Sequence, residues 1–158
     1  MRHRRVLACS VAATALGFVG FPALAEHPWA YPALEAAHIA GIALLVGSLV
    51  LLELRVWGAA PELPVAALAR LALAVTATGF ALVLLTGLAM FSAQPAELLG
   101  NRAFVLKMGL VMLAGLNAAW FHGRGGLVRL DALARAQTAL SLGLWLGVII
   151  LGRWIAYL

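Results

Sequence analysis

The sequence predicts an all-α fold, a polytopic membrane four-helix bundle behind a cleavable signal peptide, and three observations predict it. Hydrophobic residues make up 65% of the 158 and charged residues only 11%, where soluble domains carry about a quarter charged. Four predominantly apolar stretches of membrane-crossing length follow one another, separated by polar breaks rich in Gly and Pro. The N-terminus has the layout of a secretory signal.

In chain order, Arg2, His3, Arg4 and Arg5 form a basic n-region, Val6 to Phe21 an apolar h-region, and Ala23-Leu24-Ala25 a small-x-small cleavage site. Residues 1–25 are therefore expected to be a signal peptide and 26–158 the transmembrane domain. A retained signal would add a fifth helix and leave the rest of the topology unchanged. Cys9, after Val6-Leu7-Ala8, faintly imitates a lipoprotein box, but no apolar stretch precedes it and lipidation is rejected. As Cys9 is the only cysteine, the mature chain has no thiolate ligand, and any metal would use His, Met or oxygen.

The first span is expected at 34–57, with an uncharged centre from Ile39 to Leu52 and a turn at Gly58 to Pro64. The second covers 71–93, without a charge, and stops at Gln94-Pro95. The third, 103–122, ends in the turn Gly123-Arg124-Gly125-Gly126, and the fourth covers 136–157. Each is close to the roughly 20 residues that cross about 30 Å of hydrocarbon. Only helices can cross in such runs, since lipid satisfies no backbone polar group.

Cleavage leaves the mature N-terminus outside, which puts Arg55, Arg70, Arg124, Arg129 and Arg135 on the cytoplasmic side and Arg102, Lys107 and Arg153 on the outer side, in agreement with the positive-inside rule. Trp29, Tyr31, Phe91, Phe104, Trp154 and Tyr157 fall near the outer interface, Trp57 and Trp120 near the inner one, as aromatic belts do; Trp145 is the exception. Both termini of the mature chain are thus expected in the periplasm of a bacterial cytoplasmic (inner) membrane. Ten Arg against a single Lys point to a GC-rich, Gram-negative source. The formal charge of +5 does not imply nucleic acid, because the basic residues are scattered singly between apolar runs. The partner implied is the lipid bilayer.

Small residues recur at four-residue spacing in Ala37-x-x-x-Gly41, Ala43-x-x-x-Gly47 and Gly143-x-x-x-Gly147, which lets helix backbones approach closely. Packing within one bundle is one reading of Gly143 and Gly147; a homo-oligomer seam through the fourth helix is the other.

Polar residues within spans are expensive. Side chains lean toward their helix N-terminus, so Glu35, His38 and Lys107, near the starts of helices that begin outside, lean toward the headgroups. Glu53, His122 and Arg153, near helix ends, lean back into the bilayer and are expected to be paired. Two polar layers follow: an outer one from Glu35, His38, Lys107 and Arg153, and an inner one from Glu53, Arg70 and His122, with Asn117, Gln137 and Ser141 between or near them. Anchoring and interhelical hydrogen bonding explain these layers, and a proton or ion path is the alternative.

Haem is disfavoured because His38 and His122 stand at opposite ends of their spans, about 20 Å apart at a rise of about 1.5 Å per residue. Copper is better placed: His38, Met90, Met108 and Met112 all fall toward the outer half, and imidazole and thioether donors suit Cu(I). Core filling is the commoner use of Met. No nucleophile–base spacing, phosphate loop or carboxylate pair points to an enzyme.

The segments Glu35-Ala-Ala-His38-Ile-Ala-Gly41, Leu54-Arg55, Thr86-Gly87-Leu-Ala-Met90-Phe91, Phe104-x-x-Lys107, Ala114-Gly-Leu-Asn117 with Phe121-His122, and Gly152-Arg153-Trp-Ile-Ala-Tyr157 together resemble an uncharacterised bacterial family of small four-helix membrane proteins, a domain of unknown function. That family is in turn distantly similar, in architecture only, to the membrane part of copper-resistance D-type proteins. The resemblance implies a four-helix membrane protein and no activity, substrate or catalytic residue. The function expected is a non-enzymatic structural or accessory membrane component; the alternative is a copper-handling or redox protein using the outer His/Met layer.

Overall fold

The computed structural model describes residues 28–157. The expected signal peptide, residues 1–25 with Cys9, lies outside the described residues. The described chain is all-α, with helices α1 (Ala30–Val56), α2 (Val65–Ala93), α3 (Pro95–Gly100), α4 (Arg102–Gly123), α5 (Gly126–Arg129) and α6 (Ala132–Trp154). The four long helices, α1, α2, α4 and α6, are long and apolar enough to cross a membrane, so the protein is a multi-pass membrane protein.

The long helices begin before the spans expected from hydropathy, for reasons local to their ends, while α1 and α6 finish at Val56 and Trp154, short of the expected 57 and 157. Pro32 lies in the first turn of α1, where a missing N–H is harmless, and Pro64 stands directly before α2 with extended backbone (ψ 121°). Charge at Arg70 therefore does not delay α2. Asn101 caps α4 by accepting from the amides of Ala103 and Phe104 at 2.9 and 3.2 Å, and Asp131 caps α6 by accepting from Ala134 N–H at 2.8 Å. The expected connection at 94–101 contains α3, begun by Pro95, and the glycine turn contains the single turn α5. Gly125 has φ +73°, which glycine adopts without strain, and Gly126 cannot carry a side chain because the Phe121 ring lies 2.5 Å from where its Cβ would stand.

Helices α1 and α2 form one antiparallel pair, α4 and α6 another, and the pairs join where α1 packs on α6. The α1/α2 seam is built from residues at alternating spacings of three and four: Gly41, Leu45, Ser48 and Leu52 face Val83, Gly79, Thr76 and Ala72, the pattern of a knobs-into-holes seam. At its centre the backbones almost touch. A Cβ on Gly79 would stand 2.7 Å from Gly41 O and from Leu45 N. Where lipid gives no hydrophobic drive, such close contact supplies the van der Waals attraction that holds helices together.

The α4/α6 seam is made of larger and more polar groups. Ala103, Ala114, Asn117 and Phe121 on α4 are buried, and Leu110 approaches Gly147 so closely that a Cβ there would lie 2.8 Å from Leu110 Cδ1. At the end where α4 begins and α6 finishes, Asn101 Nδ2 donates to Ile155 O at 3.0 Å, and Phe91 stacks on Phe104 with ring centroids 5.7 Å apart. At the other end Phe121, Val56 and Ala134 close the interior. Leu and Ile side chains cover much of the outer surface, which suits contact with lipid.

Candidate functional site

The helix ends that carry Glu53 (α1), Asn117 (α4) and Gln137 (α6) meet around a cavity of about 50 Å³, lined also by Thr138, Ser141 and His122 and walled by Leu49, Leu52, Leu73 and Phe121. All four long helices contribute to its lining. Glu53 and Gln137 are 3% exposed and Asn117 8%, which is unusual for such groups unless they are paired.

Hydrogen bonds fix how the two amides point. Asn117 Nδ2 donates to the backbone oxygen of Gln137 at 2.8 Å, so its Oδ1 turns away from that bond. Arg124 Nε donates to Gln137 Oε1 at 2.7 Å. A guanidinium can only donate, which leaves Gln137 Nε2 as the free end. Glu53 Oε2, Asn117 Oδ1 and Gln137 Nε2 are all buried with no hydrogen-bond partner in the protein. Unsatisfied buried polar atoms cost about 1–3 kcal/mol each, so three lining one cavity call for an explanation.

Arg124 belongs to a second polar group at the mouth of this end. Its Nη1 and Nη2 donate to Asp131 Oδ2 and Oδ1 at 3.1 and 2.7 Å, the one ion pair among the described residues. The hydrogen bonds from Arg124 hold the Asp131 carboxyl well below the usual carboxylate range, helped by the Ala134 amide. Beside it Trp57 Nε1 donates to Thr138 Oγ1 at 2.7 Å, tying α1 to α6.

Several residues expected in the two layers stand elsewhere. Arg70 is exposed and is not beside Glu53, because the packed stripe of α2 runs through Ala69 and Ala72 and turns Arg70 outward. His122 lines the cavity edge but is itself exposed, making an edge contact with the Phe121 ring at 5.3 Å. One residue is a rotation of about 100° on a helix, and Phe121 occupies the inward position. Arg153 is exposed and finds its partner locally, donating to Tyr157 Oη at 2.6 Å and lying over that ring. Glu35 is exposed, and half-buried Lys107 runs along Gly152 of α6. His38 Nδ1 bonds Thr86 Oγ1 at 2.8 Å across the α1/α2 seam.

Met108 and Met112 are 43% and 66% exposed on α4, off the stripe that packs on α6, while Met90 is half-buried and His38 is engaged by Thr86. Among the described residues no three His, Cys, Asp or Glu side chains converge as a metal site. Gly147 is used inside the protein against Leu110, whereas Gly143 meets nothing within 4 Å.

Sequence reasoning missed Arg124 and Thr138, which had been read only as a positive-inside charge and not at all. Asp131 directly ahead of an apolar run is an N-cap signal, and an Arg across a glycine turn from it is a plausible clamp on the cap.

Fold and site define a multi-pass, all-α membrane protein with a largely apolar cavity, edged by buried polar side chains, toward one end of its helices. No protein-family model, no curated protein and no solved structure significantly matches the chain.

Proposed function

We propose that the protein is a non-enzymatic component of a bacterial cytoplasmic membrane whose working site is the cavity around Glu53, a site that takes up and releases a proton or a small cation. The observation that carries this reading is the burial of Glu53 at 3% exposure without an ion-pair partner. A carboxyl group in a low-dielectric interior must be matched by a proton or a cation, and ionisable residues inside a bilayer mark functional sites by default. In the topology proposed, with both ends of the mature chain in the periplasm, the cavity belongs to the cytoplasmic half. Arg124, Arg129 and Arg135 around its mouth support that orientation.

The outer His/Met set receives less support, because its donors are dispersed or already hydrogen-bonded. Nucleic acid is not a partner in this reading, and lipid is.

Acid–base titration of the wild type and Glu53→Gln in matched lipid nanodiscs tests the proposal. The expected result is one fewer titratable proton per chain in the variant. Identical curves would overturn it.

A further inference from the structure

The fully buried polar atoms left without a partner beside the cavity are two acceptors, Glu53 Oε2 and Asn117 Oδ1, and one donor, Gln137 Nε2, with the Ser141 hydroxyl lining the same cavity. We propose that Glu53, Asn117 and Gln137 hold a single bridging water, and that Gln137 makes the site one for a proton delivered through that water and not for a metal cation. The inference rests on the reading of Glu53 given above and names the occupant.

One water complements the set. It accepts from Gln137 Nε2–H and donates its two protons to Glu53 Oε2 and Asn117 Oδ1, the three hydrogen bonds that buried waters typically make. A cavity of about 50 Å³ exceeds the roughly 10–15 Å³ a water needs. The complement survives a change of charge. When Glu53 carries a proton on Oε2, its O–H donates to the water, and the water accepts from Glu53 and Gln137 while still donating to Asn117. Uptake forms one O–H bond on Oε2 and breaks one on the delivering water, which is replenished from the solvent side; release is the reverse, and no electrons move.

A bare cation would suit the two oxygens and meet the positive end of the Gln137 amide dipole. Gln137 cannot turn its oxygen inward without bringing its NH₂ against Arg124 Nε, which now donates to Oε1 at 2.7 Å. Arg124 is itself held by Asp131 at 2.7 Å. The ion pair at the mouth thus positions the amide that selects against cations.

Two measurements on the full-length protein in nanodiscs test this. The chain has two glutamines, Gln94 and Gln137, and Gln94 is exposed, so Gln94→Ser with ¹⁵N-glutamine leaves one side-chain amide to observe. Solid-state NMR should then show transfer from water protons to Gln137 Nε2; its absence would overturn the bridging water. The Glu53-dependent step of the wild-type titration should also be unchanged when Na⁺, K⁺ or Mg²⁺ is added. A step that moves to lower pH as cation concentration rises would overturn proton selectivity while leaving Glu53 as the working site, whereas a titration insensitive to Glu53→Gln would remove both.

Discussion

The α1/α2 and α4/α6 pairs solve the same problem, antiparallel association in lipid, by different means. In the first pair the mean hydropathy reaches 2.1 in both helices, against 1.6 and 1.5 in the second. The α1/α2 seam uses Gly41, Gly79, Ser48 and Thr76, small enough that backbones meet; even its hydroxyls are paired, Ser48 with Thr76 at 2.7 Å and each also with its own helix carbonyls. The α4/α6 seam carries Leu110, Asn117, Phe121 and Gln137, whose bulk and polarity keep the helices from closing where α1 joins them. The difference teaches a division of labour: the hydroxyls of the tight seam are all paired, while the looser one leaves Asn117 Oδ1 and Gln137 Nε2 unsatisfied beside the cavity, facing the equally unsatisfied Glu53 Oε2 at the end of α1.

Substitutions in the tight seam should have the largest effect. In Gly79→Ala the new Cβ would meet backbone atoms of α1 at 2.7 Å, which no side-chain rotation relieves, and a loss of about 1–3 kcal/mol is expected. Equilibrium unfolding in micelles or bicelles measures it; a neutral Gly79→Ala would mean that the seam is looser than described.

A smaller loss is expected at the junction of the pairs. Trp57→Phe removes the donor to Thr138, whose hydroxyl keeps its bond to Arg135 O, so about 0.6 kcal/mol should go, the average for an interhelical hydrogen bond in a membrane protein. The same unfolding assay reads it.

The ion pair at the cavity mouth gives a pH signature. Because Arg124 holds Asp131 below its ordinary range, the folded state binds that proton less readily than the unfolded chain. The resulting stabilisation is complete above the unfolded value of about 4 and is lost only as pH falls below it. Thermal midpoints of wild type and Asp131→Asn should therefore differ by a constant amount from pH 7 to about pH 5 and converge in stronger acid. A difference that vanishes already near pH 6 would deny the pair its role.

No loss is expected at Gly143, whose Cβ would enter open space. Gly143→Ala should leave the monomer unharmed or more stable by up to about 1 kcal/mol, the helix-propensity gain. Gly143→Cys crosslinking in membranes then reports on the proposed fourth-helix oligomer, and a monomer-only pattern would leave Gly143 facing lipid.

Helix number and class were legible because apolar runs of this length have one solution in lipid. Helix ends were less so: hydropathy marks where charge begins, whereas Pro64, Asn101 and Asp131 decide where hydrogen bonding begins. At the site, Glu53, Asn117, Gln137 and Ser141 line one cavity, whereas depth along the helix had put Glu53 with Arg70 and His122 and left the other three between or near the two layers. Rotation about the helix was not legible, since it depends on which stripe each helix presents, and Arg70 and His122 were assigned by depth alone. Arg124 was invisible because its role arises from a turn that brings it back over α6.

The division of labour is tested most directly by the unfolding free energy of Glu53→Leu in the same bilayer as wild type. Replacing an unsatisfied buried polar group by an apolar one is neutral or stabilising, and groups kept for function are commonly held against stability. The account predicts that Glu53→Leu is at least as stable as wild type. A loss comparable to that of Gly79→Ala would make Glu53 a structural strut and contradict it.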